Sequence, residues 1–135
     1  MIESDSAMEL AARRLTGVVV LSPVGRIGHD EAEPFRHALE AYLDACSAGS
    51  DAVVLDLAGV EYVSSAGLRA LLLAARQVKA QGGTLVVAAM QPFVQEVFEI
   101  SRFTLLFRTF ASVRDALVEL SPAAVAAFEA GRPRG

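Results

Sequence analysis

Several features that mark whole classes of protein are scarce in this sequence. Cys46 is the only cysteine, so the chain cannot form an internal disulfide. No apolar run approaches the roughly 18 residues of a membrane-spanning helix. The 12 basic and 16 acidic residues are interspersed, which leaves no basic stripe for nucleic acid. Residues 1–6 are polar and acidic, unlike a signal peptide, so we expect a cytoplasmic protein with neither membrane nor direct nucleic-acid contact.

Motifs for catalysis and metal binding are equally scarce. One cysteine and two histidines eight residues apart, His29 and His37, make a poor ligand set for a metal. The chain has no phosphate-binding loop of the Gly-x-x-x-x-Gly-Lys type and no Gly-x-Ser-x-Gly hydrolase motif. We therefore expect no cofactor and no enzyme activity. A small hydrolase or nucleotide-binding protein is the least favoured of three functional hypotheses, and the other two are given at the end of this subsection.

Strand and helix patterns do alternate along the chain. The predicted elements are a hairpin of Leu10–Leu15 and Val18–Leu21 ending near Pro23, a helix capped by Asp30 that carries Cys46 on its apolar face and ends at Gly49, a strand Ala52–Leu57, a helix from the Ser64–Ser65 pair to Gly82, a strand Thr84–Ala89, a short helix from Pro92, a strand Leu105–Phe107, a helix capped by Ser112, and a short helix from Pro122. This order predicts an α/β fold. Its mixed, mostly parallel sheet would carry an N-terminal hairpin, about four packed helices and a short C-terminal helix.

The 135 residues suit one compact domain. We predict a flexible N-terminus over residues 1–7, the domain over 8–120, and a short helical extension with a frayed tail over 121–135. The extension either packs back on the sheet or mediates dimerisation, and we expect a monomer or weak dimer. Five phenylalanines are predicted to be mainly core: Phe93, Phe98, Phe103, Phe107 and Phe110.

The segment from Leu55 to Leu72 is the most informative part of the chain. It reads as a buried strand, a short loop, and then Ser64 and Ser65 at the start of an apolar helix. A hydroxyl there lies beside unpaired N–H groups and the positive end of the helix dipole, which would accommodate a phosphate. The pair could equally serve as a helix cap alone, which is the commoner role of serine at this position.

Asp56 is unusual because a carboxylate inside a buried strand is costly without partners. It either accepts N–H groups of the following loop or shapes the serine loop from beneath, and both roles remain open.

The segment Tyr62–Leu68, within the block Val54–Leu72, resembles the STAS domain of bacterial anti-sigma factor antagonists. The Gly25–Ile27 turn and the Gly82–Gly83 pair fit the same family, and the likeness extends over roughly Met8 to Leu120. The resemblance implies a STAS-like single domain that binds and regulates another protein.

In that family, the unphosphorylated antagonist binds an anti-sigma factor that is itself a serine kinase of the histidine-kinase-like ATPase type. Binding frees the sigma factor and starts transcription. The kinase then phosphorylates a serine at the helix start and breaks the complex, and a serine phosphatase restores it. Matched to this chain, the acceptor is Ser65, with Ser64 as its rival.

The resemblance also implies a partner-binding surface made of Gly28, Asp30, Asp56, Ser64, Ser65, Ala66, Gly67 and Arg69. Three positions depart from the common family pattern: Ser64 replaces an aspartate, Ala66 a serine or threonine, and Gly28 an aspartate for which Asp30 is a candidate substitute. The alternative function is a constitutive STAS adaptor subunit of a larger assembly, such as a lipid-transport or stress-signalling complex.

Overall fold

The computed structural model describes residues 9–130, which form a six-stranded mixed sheet with helices on both faces. The elements are β1 (Glu9–Leu15), β2 (Val18–Ile27), α1 (Ala32–Leu43), β3 (Ala52–Asp56), β4 (Gly59–Val63), α2 (Ser65–Ala80), β5 (Leu85–Ala88), α3 (Pro92–Ile100), a 3-10 turn (Phe103–Leu105), β6 (Thr109–Phe110), α4 (Val113–Leu120) and α5 (Pro122–Ala130). The predicted fold class is confirmed. The flexible segment predicted over 1–7 and the tail after residue 130 lie outside the described residues.

Strand β2 organises the sheet, whose order is β1-β2-β3-β5-β6. β1 pairs with β2 antiparallel, and the remaining pairings are parallel. β2 pairs with β3 over Val18–Leu21 and then with β4 over Val24–Ile27. The sequence prediction missed β4 and ended β2 too early. Pro23 is tolerated inside the strand because it lies where β2 changes partner.

Two hydrophobic cores lie on the two faces of the sheet. Successive residues of a strand point to opposite faces, so Val19 and Leu21 join one core while Val18 and Val20 join the other. The first core is covered by α1, α2 and α3, and the second by α4 and α5. Burial on both faces explains why the central strands read as continuous apolar runs.

Helix α1 is shorter at both ends than the sequence predicts. Its N-cap is Glu31 rather than Asp30, and it ends at Leu43, so Cys46 lies in the following loop instead of on the helix. Cys46 is nonetheless buried, as expected of a core residue, and its thiol donates to the Thr84 carbonyl at 3.4 Å. Burial raises the pKa of the thiol above its ordinary value.

The predicted strand Leu105–Phe107 is wrong. A 3-10 turn ends at Leu105, and the last strand is Thr109–Phe110. Phe107 is buried and packs against Phe98 at a ring-centroid distance of 6.1 Å, so this apolar run fills the core instead of pairing with β5. Among the five phenylalanines expected in the core, Phe93 is the exception because it is 50% exposed.

Helix α5 packs back on the domain. Ala124 is fully buried in the second core. The Arg13 guanidinium of β1 donates to the carbonyls of Ala127 at 3.2 Å and Phe128 at 2.8 Å and lies 5.0 Å from the Phe128 ring centroid. Arg114 of α4 pairs with Glu129 at 2.6 Å. Over residues 9–130, no helix has the length and apolar character needed to cross a membrane.

Candidate functional site

The candidate site lies where two parallel strands end. β2 and β4 pair in parallel with a register shift between Gly25 and Arg26, after which Ile27 lies beside Val63. The loop after β2, residues 28–31, therefore lies near the first turn of α2, residues 64–67, and we call these two segments together the serine site. The Ser64 N–H donates to the Ile27 carbonyl at 2.9 Å and ties the segments to each other. The carboxyl edge of a parallel sheet is the usual place for ligands and partners in such folds.

Gly67 allows the two segments to approach this closely. A Cβ added at Gly67 would lie 2.8 Å from both Cγ2 and the carbonyl oxygen of Ile27, and 3.0 Å from Cγ1 of Val63. These distances are too short for any larger residue. Gly67 was predicted to belong to the partner-binding surface, but it is buried in the first turn of α2, where it packs against β2 and β4.

The two serines have different environments. Ser64 is the N-cap of α2: its backbone is extended, and its hydroxyl oxygen accepts the Gly67 N–H at 3.1 Å. Ser65 is the first helical residue, and its side chain is exposed. The sequence left open which serine caps the helix, and the structure assigns that role to Ser64.

The first turn of α2 suits an anion. Ser64 accepts the Gly67 N–H, but the N–H groups of Ser65 and Ala66 have no intrahelical acceptor because no helical turn precedes them. The turn contains no acidic residue, and Arg69 is exposed one turn further along. Arg69 lies four residues after Ser65 and therefore on the same face of the helix.

The loop over residues 28–31 is held by Glu31, which was not among the predicted site residues. Oε1 of Glu31 accepts the Gly28 N–H at 2.8 Å. Asp30, the candidate substitute for the missing aspartate, instead points outward with a side chain that is 94% exposed and lies 3.4 Å from the His29 ring. The spacing of three residues between Gly28 and Glu31 was the signal that could have identified this contact.

Asp56 is not part of the serine site. Its carboxylate accepts hydrogen bonds from the Ser22 hydroxyl at 2.9 Å and the Ala58 N–H at 3.0 Å, at the point where β3 separates from β2. The five residues of β4 lie between Asp56 and Ser64, a span of about 16 Å for an extended strand. Asp56 thus has the loop-holding role that the sequence suggested, at a distance from the serines.

A partly exposed aromatic stack flanks the serine site. The Arg26 guanidinium lies 4.4 Å from the Tyr62 ring centroid, and Tyr62 stacks on Phe93 at 6.1 Å. Arg26 and Tyr62 immediately precede Ile27 and Val63, the two strand ends. Arginine and aromatic side chains are enriched at the centres of protein interfaces. In residues 9–130, no group of three His, Cys, Asp or Glu residues is placed to hold a metal ion.

Comparison with known proteins places this geometry in a family. A sequence model described as the STAS domain matches residues 9–116. A protein of Bordetella bronchiseptica, BtrV, described as a candidate anti-sigma factor antagonist, is 38% identical over 127 residues, covering 94% of this chain and 100% of BtrV.

Two solved structures share the fold. An anti-sigma factor antagonist from Mycobacterium paratuberculosis superposes with a TM-score of 0.76 at 22% identity, covering 88% of this chain and 98% of its own. The Bacillus cell fate determinant SpoIIAA in its phosphorylated form superposes with a TM-score of 0.61 at 17% identity, covering 82% of this chain and 98% of its own. The chain belongs to the STAS domain family and, within it, to the anti-sigma factor antagonists.

Proposed function

We propose that this protein is a phosphorylation-controlled anti-sigma factor antagonist with Ser65 as the acceptor. In its unphosphorylated form it binds an anti-sigma factor that is also a serine kinase of the histidine-kinase-like ATPase type, and the sigma factor is released. Phosphate transfer to Ser65 ends the complex, and a serine phosphatase returns the protein to its binding form. This role places it in the cytoplasm, where sigma factors act.

One observation carries the assignment of the acceptor. The Ser64 hydroxyl caps α2 through the Gly67 N–H, whereas the Ser65 side chain is exposed at the first helical position. A kinase can reach Ser65 without disturbing the cap. Transfer to Ser64 would need the Ser64–Gly67 hydrogen bond to break first, which costs about 1 kcal/mol.

The same geometry supports a switch that leaves the fold unchanged. A phosphate on Ser65 would lie beside the N–H groups of Ser65 and Ala66 and the positive end of the helix dipole. It would bring a charge between about −1.5 and −2 to a surface that is otherwise free of acidic groups in that turn. A partner seated on the serine site then has to desolvate the added charge and accommodate three extra oxygens, which weakens binding.

The partner surface extends from the serines to the aromatic stack. Phe93 exposes half of its surface, next to Tyr62 and Arg26. Burial of the exposed half of Phe93 under a partner contributes roughly 0.8–1.5 kcal/mol, about half the value for a fully exposed phenylalanine.

The acceptor can be tested by incubating the purified protein with its cognate anti-sigma factor kinase and ATP, followed by intact-mass measurement and peptide mapping. We expect wild type and Ser64→Ala to gain one phosphate, mapped to Ser65 in both. Ser65→Ala should gain none. Equal labelling of Ser65→Ala would contradict Ser65 as the acceptor. Absence of labelling in every variant, with stable binding retained, would favour a constitutive adaptor.

A further inference from the structure

A groove lies on the far half of α2 from the serine site. Its walls are the second half of α2 and residues 105–108, with the start of β5 between them, and it encloses about 600 Å³. Leu72 and Leu85 contribute half-buried apolar surface. Leu105 is 77% exposed and Leu106 is 53% exposed, so two of the largest exposed apolar side chains of the molecule line one groove.

The rim of the groove is basic. Arg76 and Lys79 lie three residues apart on α2, on one wall, and neither forms an ion pair with a carboxylate of residues 9–130. Arg108 lies on the opposite wall and pairs with the exposed Glu119 at 3.3 Å. With Glu119 balancing Arg108, Arg76 and Lys79 still give the rim an excess of positive charge, in contrast to the net charge of −4 of the whole chain.

We propose that this groove docks an acidic amphipathic helix of a second partner protein. A helix whose apolar stripe faces Leu85 and Leu106 presents the residues flanking that stripe to both walls. Acidic flanks would meet Arg76 and Lys79 on one wall and Arg108 on the other. The groove selects an acidic segment by this charge match.

The shape of the groove favours a protein segment over a lipid. A small amphiphile is normally held in a pocket that buries 70–90% of its surface. This groove is open to solvent along its length and would leave an acyl chain largely wet. A membrane surface, in turn, contacts apolar side chains that protrude together, whereas here Leu105 and Leu106 are exposed but Leu72 and Leu85 lie half-buried between two walls.

The position of the groove makes it independent of the switch. Arg76 lies eleven residues after Ser65 on α2, which corresponds to about 16 Å along the helix axis. Contacts between exposed charges at that distance are largely screened at physiological salt. The second partner can therefore bind whether Ser65 is free or phosphorylated, which goes beyond the proposed function.

The test titrates two synthetic helical peptides of about 15 residues into ¹⁵N-labelled protein. Both peptides carry the same leucine stripe, with glutamates flanking it in one and lysines in the other. We expect the glutamate peptide to shift amides of residues 72–86 and 105–108, and the lysine peptide to bind at least about tenfold more weakly. Equal binding of the two peptides, or no groove shifts at about 1 mM glutamate peptide, would overturn the proposal.

Variants locate the peptide on the groove and distinguish a protein segment from a lipid as its occupant. Arg76→Gln combined with Lys79→Gln should weaken the glutamate peptide about three- to tenfold, and Leu106→Ala should weaken it further. Arg102→Gln, an exposed arginine outside the groove, and Ser65→Asp should leave its affinity within about twofold. Decanoate or anionic vesicles that shift the same amides when the glutamate peptide does not would assign the groove to a lipid and overturn the protein-partner proposal.

Discussion

Ser64 and Ser65 are adjacent, yet the helix gives each a separate task. The extended backbone of Ser64 directs its hydroxyl to the Gly67 N–H, and the helical backbone of Ser65 leaves its side chain in solvent. Ser64 therefore contributes to the stability of α2, whereas Ser65 is available for chemistry. The two positions should respond differently to the same substitution.

Ser64→Ala should lower the free energy of unfolding by about 1 kcal/mol, because the first turn of α2 loses its capping acceptor. Ser65→Ala should change it by less than about 0.5 kcal/mol, because an exposed hydroxyl is removed. Urea unfolding followed by circular dichroism measures both values. A larger loss for Ser65→Ala than for Ser64→Ala would contradict the assignment of the cap.

Gly67→Ala should destabilise the protein by about 1–3 kcal/mol, because the added methyl group collides with the Ile27 carbonyl and two buried side chains. Gly28→Ala is the matched control in the same site. Its Cβ would meet only the end of the flexible Glu31 side chain, so it should cost less than about 1 kcal/mol. Thermal unfolding of the two variants compares them, and equal losses would show that α2 does not depend on close contact with Ile27.

At the scale of elements, the sequence predicts best where local signals and packing agree. The helix after the serine pair was predicted correctly because its capping serine, its apolar stripe and the glycines at its end all indicate a helix over the same residues. β4 was missed because Gly59–Val63 is short and its only strand partner among the described residues is the second half of β2, a contact that no local pattern reveals. The strand predicted over Leu105–Phe107 was wrong because an apolar loop segment that fills a core has the same composition as a buried strand.

The serine site shows the same division between local and tertiary information. The serine pair and its helix are local features, and the sequence located them. Two features of the site depend on how β2 changes partner at Pro23. Gly67 contacts Ile27, and Asp56 lies away from the serines. Pairing between distant strands is tertiary information that the local sequence does not contain.

A single side chain, Arg13, links helix α5 to strand β1, so its removal tests how α5 is held on the domain. Arg13→Ala removes two hydrogen bonds to the C-terminal carbonyls of α5 and the cation over Phe128. We expect amide hydrogen exchange in residues 122–130 to accelerate and the free energy of unfolding to fall by about 1–2 kcal/mol. Arg14→Ala is the control, because Arg14 points to the other face of β1, toward Tyr42, and should leave α5 exchange unchanged. Unchanged exchange in Arg13→Ala would mean that the apolar contacts of Ala124 hold α5 without the guanidinium.

At the scale of the whole molecule, the fold separates the surface proposed to switch from the two cores that support it. The serine site occupies one edge of the sheet, and the two cores lie on its faces. A phosphate on Ser65 therefore changes what the surface can bind without requiring the cores to rearrange.

Partner switching requires that a phosphate on Ser65 breaks the complex with the anti-sigma factor. Isothermal titration of the purified anti-sigma factor with the unphosphorylated and the Ser65-phosphorylated protein measures this effect. We expect phosphorylation to weaken binding about 30-fold or more, because desolvating the added phosphate charge under the partner costs at least about 2 kcal/mol. Equal affinities of the two forms would contradict a phosphorylation switch at Ser65.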